Sequence, residues 1–268
     1  MKLGLCFSGG GARGAYQIGA CQALKEAGVL EHVEVFSGTS IGAANASIVA
    51  TCSLDKAKQI WFDIPEDTLR RTENLFKKLI REPGTVVLEG MYETTNLRKV
   101  LRENLDFQEL KGKEVYVTIS EAGKKGGGFI PLVKSTYRHY IKHESHVIYT
   151  NIALQDPEHA FKDIIASCSI PLVFSPTNID GEQYFDGGLY DNVPVKPLID
   201  AGCDTVIVLH LDRLPYFYKR RYKDITFHSI RPSGFLGWYL KFASDQSITR
   251  YQMGYDDCKR YLEDNKII

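Results

Sequence analysis

The chain has no surplus of charge of either sign: 33 Lys and Arg residues balance 33 Asp and Glu residues among 268. A nucleic-acid partner usually leaves a basic footprint, so none is expected, although whole-chain neutrality leaves local patches open. Cysteine is sparse. Cys6, Cys21, Cys52, Cys168, Cys203 and Cys258 form no C-x-x-C pair, which argues against a zinc site, a thioredoxin-like motif or a disulfide scaffold. Cys6 and Cys52 lie in apolar runs and read as small buried hydrophobes. No internal repeat, long linker or low-complexity tract is present. After Lys2 the apolar stretch is cut at Ser8 by glycine, too early for the apolar core of a secretory signal. The expected setting is therefore reducing and cytoplasmic. A charge-free run long enough to cross a bilayer, residues 35–54, contains Ser37, Thr39, Ser40, Asn45, Ser47, Thr51 and Ser53. A strand, a turn and a buried helix explain it better than a membrane span.

What is present is an ordinary globular composition, 44% hydrophobic and 25% charged. One domain of this size buries about three quarters of its unfolded surface and needs neither disulfide nor metal to fold. Periodicity predicts a strand over 3–7, a loop over 8–14, a helix over 15–27 stopped by Gly28, a strand over 33–36 and a helix over 41–53. That alternation implies a parallel sheet covered on both faces. Residues 55–83 read as mainly helical, either a lid over a groove or a cap on the core. Thr95 is the expected N-cap of a further helix. Strands over 114–120 and 129–134 flank a turn rich in Lys and Gly, which predicts a hairpin. Then follow a short helix over 161–166, a short strand over 183–185, a buried strand over 205–211 and an amphipathic helix over 244–262 that Gly254 would interrupt.

Two glycine motifs follow the first two strands. Gly9-Gly10-Gly11-Ala12-Arg13-Gly14 fits G-x-G-x-x-G, and Glu34 lies where a ribose-binding acid would sit. Consecutive glycines at a helix N-terminus expose N–H groups to a phosphate or to an oxyanion formed in catalysis. Gly38-Thr39-Ser40-Ile41-Gly42 fits G-x-S-x-G between a strand and an apolar helix, the pattern of a nucleophile elbow. Small residues flank Ser40 because the turn is tight, and the following helix dipole favours negative charge at its hydroxyl. Asp186, in Phe185-Asp186-Gly187-Gly188, is a candidate base, although Asp-Gly turns are common. His210 ends an apolar strand, and Ser40, Asp186 and His210 follow the chain order of a hydrolase triad.

Four ordered blocks resemble the patatin-like phospholipase family. They are Gly9 to Gly14, Gly38 to Gly42, Ala166-Ser167-Cys168-Ser169-Ile170-Pro171 with Phe174 and Pro176, and Asp186-Gly187-Gly188 with Asn192 and Pro194. Weaker likenesses run from Gly90-Met91-Tyr92-Glu93-Thr94-Thr95 to Gly254-Tyr255, so the resemblance spans nearly the whole chain. It implies a single three-layer α/β/α domain over 1–268 with a mostly parallel sheet. It also implies a Ser–Asp dyad, with Ser40 as nucleophile and Asp186 as base. The backbone N–H groups of Gly9, Gly10, Gly11 and Ala12 would form the oxyanion hole, with Arg13, Gly14, Gly38, Gly42, Gly187 and Gly188 supporting the motifs. No metal or cofactor is implied. The substrates implied are phospholipids, lysophospholipids or other acyl lipids. A carboxylate with an ordinary pKa near 4 is a poor base for serine, so Asp186 is expected to be desolvated.

Other readings stay open beside this one. They are an esterase with the Ser40–Asp186–His210 triad, and a non-catalytic module that binds nucleotide or lipid. Arg13 would either meet a lipid phosphate or brace the loop through carboxylates. His139, His143 and His146 cluster, with a solvated or hydrogen-bonded role expected rather than a metal site. Residues 213–223 interleave Tyr216, Phe217, Tyr218 and Tyr222 with Lys219, Arg220 and Arg221. That stretch suits peripheral contact with an anionic membrane as well as it suits a solvated loop.

Overall fold

The computed structural model describes residues 2–68, 70–71, 92–93, 95–110, 112–124, 147–171, 173–213 and 221–265. Strand β1 (Leu3–Phe7) shows how the layers arise. Its Leu3, Leu5 and Phe7 join one hydrophobic cluster and Cys6 joins another, because successive side chains leave opposite faces of a strand. The same alternation divides β2 (Val33–Thr39), where Phe36 faces one cluster and Val35 the other. It also divides β7 (Thr205–Leu209), where Ile207 and Leu209 oppose Val206 and Val208. Such strands are apolar on both faces, as strands of a covered parallel sheet must be.

The sheet runs β8-β7-β1-β2-β3-β6-β5. Here β3 is Glu114–Lys124, β5 Thr177–Ile179, β6 Glu182–Asp186 and β8 Thr226–Ile230. A further strand, β4 (Val147–Asn151), pairs antiparallel with β3. The five strands from β8 to β3 are parallel, and β6 and β5 are antiparallel additions. One face carries α1 (Ala15–Glu26), α2 (Ile41–Thr51), α3 (Leu54–Phe62), α5 (Pro157–Ser167) and α7 (Ser244–Asn265), which share the larger cluster. Helix α4 (Thr95–Asn104) adds Leu97 and Leu101 to it. The other face is covered by α6 (Lys196–Asp200) and the chain before it, through Val193, Val195 and Leu198. The result is a three-layer α/β/α arrangement with a mixed, largely parallel sheet.

Several boundaries differ from the sequence expectations. Residues 35–54 resolve into the end of β2, a sharp turn and α2, and no helix among the described residues is long and apolar enough to cross a membrane. Strand β2 continues past Phe36 to Thr39, because Ser37 and Thr39 turn their hydroxyls to carbonyls of the chain that follows β6. Of the mainly helical stretch over 55–83, α3 and a short 3-10 turn at Glu66–Thr68 are present. Arg70–Arg71 bridges Tyr92–Glu93, and the rest of that stretch lies outside the described residues. So do strand 129–134, the histidines at 139, 143 and 146, and most of 213–223. Thr95 falls inside the first turn of α4. Helix α5 starts earlier than residue 161, at Pro157, capped by Asp156 Oδ1 accepting from the N–H groups of Glu158 and His159.

Gly254 does not break α7. A Cβ there would lie 1.9 Å from the Tyr16 carbonyl oxygen, and one on Gly19 would lie 1.9 Å from that of Tyr251. The two glycines let α1 and α7 cross with their backbones in contact.

Candidate active site

The register of the sheet brings distant residues to one edge. Phe7 pairs with Gly38 on one side and with Leu209 on the other, so β1, β2 and β7 end level. Thr39 pairs with Thr118 of β3, and the next residue of β3, Ile119, pairs with Asp186 at the end of β6. Because β6 runs antiparallel, its final residue arrives beside the turn that follows β2.

Ser40 occupies that turn with φ 58° and ψ −131°, a left-handed conformation uncommon for a residue with a Cβ. Strain of this kind amounts to roughly 1–3 kcal/mol and persists only where neighbours hold it. Here a Cβ on Gly38 would lie 2.2 Å from the Gly42 carbonyl oxygen, and one on Gly42 would lie 2.3 Å from that of Phe7. Only glycine fits either position. The Ser40 N–H donates to Ser167 Oγ at 2.8 Å, and the Ser167 hydroxyl donates to the Thr118 carbonyl at 2.7 Å. That relay ties the turn to α5 and β3.

Asp186 is buried, at 4% exposure. Its Oδ1 accepts from the Gly188 N–H at 2.7 Å, and the Ser40 side chain interacts with the same carboxylate, lowering its pKa. Burial pushes the carboxyl up to about 7, and the Ser40 and Gly188 hydrogen bonds hold it back from rising further. Gly187 supports the placement by proximity, since a Cβ on it would lie 2.5 Å from the Thr118 carbonyl oxygen. The Asp186 N–H donates to the Ser169 carbonyl at 2.9 Å, and Ser120 Oγ donates to the Asp186 carbonyl at 3.3 Å.

The glycine turn faces the same edge, and its four candidate N–H groups differ. That of Gly9 donates to the Asn192 carbonyl at 3.1 Å and that of Ala12 to the Tyr239 carbonyl at 2.7 Å. Those of Gly10 and Gly11 meet no acceptor among the described residues. The turn is pinned beneath by a buried polar network. Asn45 Nδ2 donates to the Gly14 carbonyl at 2.9 Å and to Gln17 Oε1 at 2.8 Å, and Trp61 Nε1 donates to Asn45 Oδ1 at 3.0 Å. Gly14 leaves room for the Trp61 and Asn45 side chains.

Arg13 braces the loop, though not through carboxylates. Its Nε donates to the Gly237 carbonyl at 2.8 Å, and its guanidinium lies 3.6 Å from the centroid of the Tyr239 ring. His210 is buried at the end of β7, separated from β2 by β1, and Asp186 meets Ser40 directly without it. Glu34 is exposed near the start of β2, five residues from Thr39 and thus roughly 16 Å along the strand from the glycine turn. It is at the wrong end to meet a ribose bound there. Among the described residues no group of three His, Cys, Asp or Glu side chains is placed to hold a metal ion.

A small cavity opens at Ser40, walled by Ile41, Leu97, Ile170, Phe174, Leu240 and Phe242 with Gly11, Cys168 and Tyr239. Its lining is almost wholly apolar, and its interior takes about one water. Sequence reasoning missed Gln17, Asn45, Ser120 and the role of Ser167. A polar residue in the middle of an apolar helix, such as Asn45, was the available signal.

The chain belongs to the patatin-like phospholipase family, whose profile matches residues 5–199. It is 28% identical over 198 residues to mouse 1-acylglycerol-3-phosphate O-acyltransferase Pnpla3, covering 72% of this chain and 41% of that protein. It is 23% identical over 241 residues to lysophospholipase NTE1 of Cryptococcus neoformans, covering 90% of this chain and 12% of that protein. The chain thus spans less than half the length of these relatives. VipD from Legionella pneumophila shares the fold, with a TM-score of 0.52 at 15% identity over 98% of this chain and 67% of that one.

Proposed function

We propose that the protein is a serine acyl-lipid hydrolase working through a Ser40–Asp186 dyad within one domain. The observation that carries this reading is a serine on a strained turn set beside a buried carboxylate whose pKa is raised to about 7. A base with a pKa near the operating pH combines availability with proton affinity. Asp186 takes the Ser40 proton as the serine oxygen bonds to the ester carbonyl carbon. The negative charge moves to the carbonyl oxygen, for whose stabilisation we assign the N–H groups of Gly10 and Gly11 and the N-terminus of α2. The carbonyl re-forms as the ester C–O bond breaks, and Asp186 returns the proton to the departing alcohol. Water then attacks the acyl-enzyme, with Asp186 again as base.

The apolar lining of the cavity beside Ser40 suits the acyl chain of such a substrate. The names of Pnpla3 and NTE1 both point to phospholipids carrying one acyl chain, and we extend that class to this protein. Peripheral contact with the membrane that holds such lipids belongs to the same reading. Labelling with a fluorophosphonate followed by peptide mass spectrometry tests it. We expect modification of Ser40 that is lost in Ser40→Ala and weakened in Asp186→Asn, with release of fatty acid from lysophosphatidylcholine. Folded protein that neither labels nor releases fatty acid would refute it.

A further inference from the structure

Residues 233–243 form a strap between β8 and α7 that crosses the glycine turn. Its inner side is backbone gripped by charged side chains. Arg13 donates to the Gly237 carbonyl, Arg250 Nε donates to the Leu236 carbonyl at 2.7 Å, and Asp257 accepts from the Ser233 N–H at 2.9 Å. Its outer side is aromatic. Phe235 is 72% and Trp238 73% exposed, and their rings stand edge to face with centroids 6.5 Å apart. Beside them Tyr239 is 46% exposed. The same strap roofs the cavity at Ser40 and occupies the Ala12 N–H through the Tyr239 carbonyl.

Two large rings held in water beside an almost wholly apolar cavity lining call for an apolar partner, and tryptophan at a polar–apolar boundary is characteristic of a lipid interface. The strap itself carries a single charged side chain, the exposed Lys241, and no Asp or Glu. That favours a negatively charged surface.

We propose that this strap docks on an anionic phospholipid bilayer, with Phe235 and Trp238 entering the boundary between headgroups and acyl chains. Docking draws the strap from Gly11 and Ala12, and the cavity, which here takes about one water, opens to an acyl chain. The purpose of docking rests on the hydrolase reading, while docking itself is measurable without turnover.

The test uses the full chain and vesicles of phosphatidylcholine, with and without phosphatidylglycerol. The protein has two tryptophans, and Trp61 is buried and bonded to Asn45, so changes in emission report Trp238. We expect binding to the mixed vesicles at least tenfold tighter than to phosphatidylcholine alone, a blue shift of emission, and quenching by brominated lipid. Phe235→Ser/Trp238→Ser, shown by circular dichroism and an unchanged Tm to be folded, is expected to lose at least tenfold in binding. Its rate on a vesicle-borne lysophospholipid falls while its rate on a soluble short-chain ester stays the same. Unchanged binding by the double variant, unshifted Trp238 emission, equal binding to both vesicle types, or equal loss of both rates would overturn the proposal. If Ser40→Ala docks normally but the unmodified protein hydrolyses neither substrate, the hydrolase reading fails and the docking surface stands.

Discussion

Replacing Asp186 by Asn should abolish activity and stabilise the protein, with a gain that grows with pH. In the unfolded chain an aspartate titrates near 4, whereas burial raises Asp186 to about 7. The folded state therefore holds its proton over a pH range in which the unfolded state has released it. Stability from this group is greatest below about 4 and is lost as pH rises through about 7. Above that pH the ionised carboxylate in its buried site costs about 4 kcal/mol, and at pH 5 it costs roughly 1–2 kcal/mol. An asparagine side chain at this position would keep the acceptor for the Gly188 N–H and never ionises. Asp186→Asn should thus raise stability by up to about 4 kcal/mol at pH 8, equivalent to roughly 8–10 °C in Tm for a chain of this size. The gain should shrink by more than half at pH 5. The turnover of the unmodified enzyme should run the other way, rising with pH to a plateau above about 7 as Asp186 becomes a base. Thermal melts of both proteins from pH 5 to 8, beside kcat/KM profiles on a short ester, measure both effects. A pH-independent difference in Tm would show that Asp186 does not carry the raised pKa, and the dyad would then lose its base.

Three further changes probe the scaffold. Ser167→Ala leaves the Ser40 N–H and the Thr118 carbonyl without their partner, so we expect a loss of about 2–4 kcal/mol in urea titration and a fall in kcat with KM little changed. Gly254→Ala drives a methyl into the Tyr16 backbone and should destabilise by about 3 kcal/mol or more, read as a lowered Tm. Arg250→Met removes the donors to the carbonyls of Leu236 and Ala12, so cleavage by trypsin after Lys241 should accelerate several-fold while α7 retains its helicity.

Much of the fold was legible because its signals are local. The alternation in β1, the apolar run of β7 and the glycines around Ser40 constrain adjacent backbone, and adjacent backbone is what sequence periodicity describes. Gly254 misled because a glycine inside a helix pattern has two meanings. It weakens the helix by itself, but against Tyr16 it permits close packing, and the packing prevails. Glu34 sat at a plausible spacing for a nucleotide site, yet the parallel pairing of β2 places it at the opposite edge from the glycine turn.

From sequence alone came the order of elements from β1 to α2, the elbow at Ser40, and an aspartate followed by two glycines. Each depends on residues that are neighbours in the chain. Strands β4, β5 and β8 and helix α6 were not among the expected elements. Tertiary structure decided the rest. It turned β6 antiparallel so that Asp186 meets Ser40, and it buried that carboxyl enough to raise its pKa. It left the N–H groups of Gly10 and Gly11 without an acceptor among the described residues while engaging those of Gly9 and Ala12, and it laid the aromatic strap across the cavity. Desolvation and hydrogen-bond partners come from atoms that are close in space and far apart in the chain, so no reading of local pattern contains them.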